Sequence, residues 1–184
     1  MIEFTYHRNL KTTRAIRPKN LFIDKNKPVD NLPDCIICLM FGHSFNKPVD
    51  KLPNSITHLE FGFEFNQPID NLPNSITHLE LGWRFNQPVD NLPDSITYLT
   101  FGRCFNQNID NLPKYLTHLK FGHYFSKPAV NLPYSLQKIS VQQCYDLNIK
   151  VPFGCRVKVI DCEITPTTYY YNLKSRVKKI KLNE

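Results

Sequence analysis

The chain has 184 residues, 41% of them hydrophobic, and 23 Lys and Arg against 16 Asp and Glu give a formal net charge of +7. This composition excludes wholesale disorder, and no stretch approaches the roughly 18 apolar residues that a membrane-spanning helix needs. The first ten residues lack the apolar segment of a secretory signal, so we expect a cytoplasmic or otherwise intracellular protein that is not secreted.

Residues 1–24 carry no repeated pattern, and they hold five basic and two acidic side chains. The segment that follows is almost neutral, so the basic excess lies at the two ends of the chain. We predict that residues 1–24 form an N-terminal cap on whatever structure follows.

From residue 25 onward, proline and glycine recur every 20 residues, which is the mark of a repeat protein. Five of the six glycines obey this period: Gly42, Gly62, Gly82, Gly102 and Gly122. Six prolines do the same: Pro33, Pro53, Pro73, Pro93, Pro113 and Pro133. The clearest unit, residues 65–84, follows the pattern F-N-Q-P-[IV]-D-N-L-P-[ND]-S-[IL]-T-H-L-x-[FL]-G-x-x.

Two prolines and a glycine in each unit leave no room for a helix of several turns. The segment around Leu59 and Phe61 alternates as a strand does, and Gly62 follows it, where a turn with positive φ would be cheap. The spacing Ile56-x-x-Leu59-x-Phe61 is that of a leucine-rich repeat. The pattern therefore predicts a mainly β, short-period (20-residue) solenoid like a leucine-rich repeat, with parallel strands on one face and extended Pro-rich segments on the other.

In such a solenoid the apolar columns point inward and stack from coil to coil. The predicted core contains Ile56, Leu59, Phe61, Phe65, Ile69 and Leu72 with their equivalents. The core spacing recurs at Val157-x-x-Ile160-x-Cys162 and Val177-x-x-Ile180-x-Leu182, which makes about eight coils from Ile36. We expect 25–144 to form six repeats and the degenerate units of 145–184 to form a C-terminal cap, with the basic run Lys174–Lys181 on the solvated side of the last strand.

The motif Phe65-Asn66-Gln67-Pro68-Ile69-Asp70-Asn71-Leu72-Pro73 resembles the FNIP repeat, a leucine-rich-repeat relative found in amoebae and giant viruses. The resemblance covers residues 25–144. It implies a repeat scaffold used for protein interaction, sometimes attached to an F-box that recruits a ubiquitin ligase. The 24 residues before the first repeat are too few for an F-box, so we expect a member without one. The family supplies no catalytic residues and no cofactor.

Alternation along each strand leaves two columns of side chains on the exposed sheet face. One contains His58, His78, Tyr98 and His118, and the other contains Glu60 and Glu80. A third column, just after each glycine, contains Phe63, Trp83, Arg103 and His123. Trp, Tyr and Arg are the residue types enriched at binding hot spots, so we predict that these ten residues bind a protein or peptide partner. The alternative is that Phe63 and Trp83 pack over the rim of the sheet.

Other polar columns have simpler explanations. Zinc on His58 and His78 lacks a tetrahedral ligand set, and the cysteines are expected to be reduced structural thiols. The carboxylates of the acidic column should accept backbone N–H bonds in Asx-type turns, and we expect no calcium or other metal there: Asp30, Asp50, Asp70, Asp90 and Asp110.

We therefore predict a non-enzymatic scaffold without a cofactor that binds a protein through its exposed sheet face. Two alternatives stay open. One is binding of nucleic acid or an anionic surface through the basic termini. The other is substrate recognition for a ubiquitin-ligase assembly in trans, which the family resemblance alone implies. No membrane partner is expected.

Overall fold

The computed structural model describes residues 19–142, 149–160 and 181–182. Several predictions lie outside these residues, namely those for 1–18, for most of 145–184, and for the basic run before Lys181. Within the described ranges, no helix has the length and apolar content to cross a lipid bilayer.

Eight parallel strands pair in one sheet. In their order across the sheet they are β1 (Lys19–Ile23), β2 (Ile36–Phe41), β3 (His58–Glu60), β4 (His78–Glu80), β5 (Tyr98–Thr100), β6 (His118–Lys120), β7 (Lys138–Gln142) and β9 (Arg156–Ile160). A second sheet pairs β8 (Lys150–Val151) with β10 (Lys181–Leu182). The protein is thus a parallel β-solenoid of the predicted kind, with strands on one side and extended, proline-containing segments on the other.

The 20-residue period appears directly in the strand register, since His58 pairs with His78 and Leu59 with Leu79.

Each coil contains two tight turns. The amide of Phe65 bonds to the carbonyl of Gly62 after the strand, and the amide of Ile76 bonds to that of Pro73 before the next. Both are i to i+3 bonds, as expected of β-turns.

The predicted core is confirmed, because Ile56, Leu59, Phe61, Phe65, Ile69 and Leu72 are all buried. A phenylalanine spine runs through five successive coils at 0% exposure: Phe45, Phe65, Phe85, Phe105 and Phe125. Successive spine rings stack with centroids 6.1 to 6.2 Å apart. No coil could bury this surface alone, so stacking supplies the core.

The prediction that the glycine column adopts a positive φ is wrong. Among the described glycines only Gly154 has a positive φ, of 78°. In the repeats, a β-carbon on Gly82 would overlap the carbonyl oxygen of Gly62, and the same holds for the following coils. Glycine is required there because the backbones of adjacent coils approach so closely.

The acidic column also differs from the prediction. Asp50 accepts a bond from the side-chain amide of Asn71 in the next coil, with Oδ1 and Nδ2 3.1 Å apart, and not from the predicted backbone N–H group. The same contact recurs at Asn91, Asn111 and Asn131. The carboxylates therefore join neighbouring coils.

The register of the last coils differs from the predicted one as well. Val157, and not Ile160, pairs with Ile139, and buried Cys155 begins this coil's core. The coil is therefore two residues shorter than the repeat, since Lys138 pairs with Arg156. Leu182 lies in the second sheet and not in the main one, and Val177 and Ile180 lie outside the described residues. At the other end, β1 extends the main sheet within the segment that shows no repeat signal.

Candidate functional site

The exposed sheet face carries a stack of four rings, which we call the histidine–tyrosine ladder: His58, His78, Tyr98 and His118. The strand register places these residues at the same position of β3 to β6. Successive ring centroids lie 4.2, 4.3 and 4.2 Å apart, with interplanar angles of 12°, 9° and 16°. The sequence prediction that these side chains share one column on the face is confirmed.

A threonine fixes each imidazole of the ladder. Thr77 Oγ1 lies 2.9 Å from Nδ1 of His78 and donates its proton to the carbonyl of Thr57, 3.2 Å away. With the hydroxyl proton so used, we assign the ring proton to Nδ1, which donates to the hydroxyl oxygen. Nε2 of the neutral imidazole is then a hydrogen-bond acceptor. Thr57 and Thr117 make the same contacts with His58 and His118.

A second stack, the tryptophan ladder, follows the turns after the strands and consists of His43, Phe63, Trp83 and Arg103. Ring centroids are 4.8 Å apart between His43 and Phe63 and 5.2 Å apart between Phe63 and Trp83. The guanidinium carbon of Arg103 lies 4.6 Å from the Trp83 ring centroid and 5.6 Å from that of Tyr124. Phe63 is half-buried, whereas Trp83 remains 41% exposed.

Backbone bonds hold the tryptophan ladder in register beyond the ends of the strands. The amide of Arg84 bonds to the carbonyl of Phe63, and the amide of Cys104 bonds to that of Trp83. Arg84 also lies 5.5 Å from the Phe63 ring centroid, with a 2.8 Å ion pair to Glu64. Arg84 was not among the predicted site residues, because nothing in the sequence marks the position one residue after the ladder. Contacts within the chain therefore hold both ladders in place.

His123 is the one predicted site residue of the third column that does not continue the stack. Its ring meets Tyr124 edge-on at 5.0 Å. Partial burial and the positive charge of Arg103 lower the pKa of His123. Burial also lowers the pKa of His78, as do the nearby imidazoles of His58 and His118.

Beside the histidine–tyrosine ladder, Glu60 and Glu80 lie in register on β3 and β4. Burial and the charge of Glu80 raise the pKa of Glu60. Past β5 the same column turns basic at Lys120. A shallow depression of about 160 Å³ opens there, lined by Tyr98, Thr100, His118, Lys120, Lys138 and Ser140. The structure thus brings nine of the ten predicted site residues into three ordered columns.

Within the described ranges, no three His, Cys, Asp or Glu side chains converge as a metal site would require. Cys35 and Cys38 are free thiols, and burial and Glu60 raise the pKa of Cys38. A raised pKa favours the unreactive thiol over the thiolate.

The family model described as the FNIP repeat matches this chain at residues 25–64, 48–72, 65–104 and 105–143. Among solved structures, the chain is similar to CroV588, described as a novel circular leucine-rich-repeat protein, with 34% sequence identity and a TM-score of 0.59. That alignment covers 84% of this chain and 29% of CroV588, so this chain spans less than a third of that protein. The comparison with curated proteins gives no match.

Proposed function

Because this chain belongs to the FNIP repeat family, we propose that it is a non-enzymatic scaffold that binds a protein or peptide through its exposed sheet face. The observation that carries the proposal is the pair of ordered ladders on that side of the molecule, where Trp83 and Tyr98 each keep 41% of their surface exposed. Repeat families of this type are generally scaffolds without catalytic activity.

The ladders favour binding because their side chains are already fixed. Ordering a flexible side chain on binding costs about 0.5–1.5 kcal/mol, and a stacked ring between two neighbours has already lost that freedom. Tyr, Trp and Arg also give large contact areas with a polar end, which is why they dominate binding hot spots. A partner that covers Tyr98, Trp83 and Arg103 would bury aromatic surface that water now contacts.

The nucleic-acid alternative draws support from the net charge of +7 and from exposed basic side chains on β6, β7 and β9. Stacking works against it. Bases bind single-strand proteins by lying on aromatic faces. Inside both ladders those faces are covered by neighbouring rings 4.2 to 5.2 Å away, so only ring edges point outward. The basic run that begins at Lys174 lies mostly outside the described residues.

Affinity capture from cell lysate with mass spectrometry tests the proposal. The native chain is compared with a His78→Ala, Trp83→Ala, Arg103→Ala triple variant whose fold is verified by circular dichroism and thermal melting. The matched control carries Tyr134→Ala, Lys27→Ala and Lys127→Ala, all at exposed positions away from the two ladders.

We expect specific proteins on the native chain and on the control, and their loss from the triple variant. Retention should fall less between about 0.1 and 0.5 M salt than that of a nucleic acid, because a peptide contacts far fewer charges than a phosphate backbone does. Equal capture by all three chains would contradict the proposal. Loss of all capture at high salt together with recovery of nucleic acid would favour the alternative. Recovery of ubiquitin-ligase subunits would support a role in such an assembly.

A further inference from the structure

The charges on the exposed sheet face are sorted along the solenoid axis. Glu60 on β3 and Glu80 on β4 form an acidic zone. Four exposed cations on β6, β7 and β9 form a basic zone: Lys120, Lys138, Arg156 and Lys158. Between them β5 presents only Tyr98 and Thr100. If every repeat carried the same surface residues, the face would have one sign of charge along its whole length. Because the repeats differ at these positions, the face has an acidic zone and a basic zone.

Neither zone is neutralised by the described part of the chain. The ion pairs found there join Lys51 to Asp30, Arg84 to Glu64, and Lys114 to Asp94, and none of them involves a member of either zone. The two carboxylates of the acidic zone lie beside each other at adjacent register positions, which raises their mutual repulsion. A cation placed over both would relieve it.

The hydrogen-bonding groups near the acidic zone also favour a cation in the partner. With the ring proton on Nδ1, the imidazoles of His58 and His78 offer only Nε2 acceptors to a partner. Acceptors and carboxylates together suit a donor-rich cation such as Arg or Lys. In the basic zone, the depression between His118 and Lys138 has room for a carboxylate.

We propose that the partner is an extended peptide segment that lies along the solenoid axis, with a basic residue over Glu60 and Glu80 and acidic residues over the basic zone. This inference rests on the proposed function of the face. Parallel strands lie about 4.8 Å apart, so Glu80 and Lys120 are about 10 Å apart and Glu60 and Lys138 about 19 Å. An extended peptide advances about 3.3 Å per residue, so the two charges in the partner are separated by roughly three to six residues.

One end of the same face adds a third feature. Phe22 on β1 and Met40 on β2 are adjacent in register and exposed by 43% and 36%. They lie on the far side of the acidic zone from the basic one. The segment therefore carries an apolar residue beyond its basic residue, which fixes the order apolar, basic, acidic along the partner.

Selection from a displayed library of random 12-residue peptides tests this inference, with the native full chain as bait. The most enriched peptide is then synthesised and its affinity measured by fluorescence anisotropy. Two variants remove one zone each, Glu60→Gln with Glu80→Gln, and Lys120→Gln with Lys138→Gln. Lys27→Gln with Lys127→Gln is the matched control for lost positive charge, and circular dichroism checks each fold.

We expect enriched peptides with Lys or Arg three to six residues from Asp or Glu. Each zone variant should bind the synthetic peptide at least tenfold more weakly, and the control should stay within twofold of the native chain. The inference would be overturned if the enriched peptides carried charges of one sign only, or no charge pattern, and still needed His78, Trp83 and Arg103 for binding. That result would leave the proposed function standing. No enrichment, or binding that the His78→Ala, Trp83→Ala, Arg103→Ala variant retains, would overturn the proposed function itself. A (dT)20 oligonucleotide is the probe for nucleic-acid binding. If it bound the native chain tightly and in a salt-sensitive way, and the Lys120→Gln, Lys138→Gln variant lost this binding, the basic zone would be a polyanion site and the inference would be overturned.

Discussion

The carbonyl oxygen of Gly62 occupies the space that a β-carbon on Gly82 would need. The atom in the way belongs to the backbone of the preceding coil, so no side-chain rotation can relieve the overlap. The glycine column therefore sets how closely the coils stack.

Gly82→Ala should destabilise the protein strongly, because the two coils must separate to admit the methyl group. Overpacking typically costs about 1–3 kcal/mol, and we expect the upper end here. Gly154→Ala is the comparison, since nothing lies within 4 Å of its β-carbon position and only its φ of 78° is unfavourable. That strain costs about 1–2 kcal/mol. Urea denaturation of both variants measures the difference, and an equal or smaller loss for Gly82→Ala would contradict the close-approach explanation.

Phe85→Ala should remove about 3–5 kcal/mol from the free energy of unfolding, because it opens a cavity in the spine between Phe65 and Phe105. Its ring centroid lies 6.1 and 6.2 Å from theirs, and its exposure is 0%. Tyr134→Ala, at 96% exposure, should stay within about 0.5 kcal/mol of the native value. Thermal melting followed by circular dichroism measures both, and a small effect at Phe85 would mean that the coils can close the cavity.

Asn86→Ala should destabilise more than Asn91→Ala, although each removes one asparagine side chain. Asn86 Oδ1 accepts from the backbone amide of Asn106 at 2.9 Å and from Gln107 Nε2 at 3.2 Å in a partly buried position. Its loss leaves an amide without a partner, which costs about 1–3 kcal/mol. Asn91 contacts Asp70 at an exposed position, where about 0.5–1 kcal/mol is expected. Chemical denaturation measures the loss of unfolding free energy in both variants. A larger loss for Asn91→Ala would contradict this prediction and show that the exposed Asp and Asn contacts stabilise the stacked coils more than the partly buried ones do.

The stability of the protein should decrease as the pH falls through about 6.5, the ordinary pKa of histidine. Burial and neighbouring imidazoles lower the pKa of His78, so near this pH the folded chain binds fewer protons there than the unfolded chain does. Stability is then lost between the unfolded and folded pKa values and changes no further below the folded one. His123, whose pKa is also lowered, adds to the effect with the same sign.

His78→Gln should therefore flatten, without abolishing, the dependence of the unfolding free energy on pH between about 5 and 7.5. Urea denaturation across that range measures it, with His43→Gln at the end of the other ladder as the control. If the native chain and His78→Gln gave parallel curves, the imidazole stack would not be the origin of the pH dependence.

The fold was predictable because the 20-residue period, the proline positions and the core spacing agree across residues 25–144. Phe65 and Leu59 recur at fixed positions, and a 20-residue period admits only a stacked coil. The predictions that failed depend on contacts between neighbouring coils, which the sequence of one unit does not specify. The repeated glycine at Gly82 does not show whether a positive φ or a close neighbouring backbone requires it. In the same way, the sequence does not show which group of the next coil donates a hydrogen bond to Asp50. At the last coil Ile139 pairs with Val157, 18 residues along the chain, whereas the predicted partner Ile160 lies 21 residues along.

The site was predictable as columns, since alternation alone places His58 and Glu60 outward. Ring stacking at 4.2 Å and the threonine contact at Nδ1 depend on side-chain rotation, which alternation does not specify. The position of Phe22 could not be predicted, because β1 has no repeat signal. Whether the face binds a partner stays a prediction for the capture experiment.

Paired residues of neighbouring strands lie 20 positions apart in the sequence, as His58 and His78 do, so one repeat unit adds one strand to the sheet. Duplication or loss of one 20-residue unit keeps the strand register and the alignment of the buried columns, and it displaces all later surface residues by one strand. An insertion between Glu80 and Lys120 would lengthen the gap between opposite charges in a single step of about 4.8 Å. Under the proposed binding mode, descendants of such a gene would bind segments with differently spaced charges while keeping the same architecture.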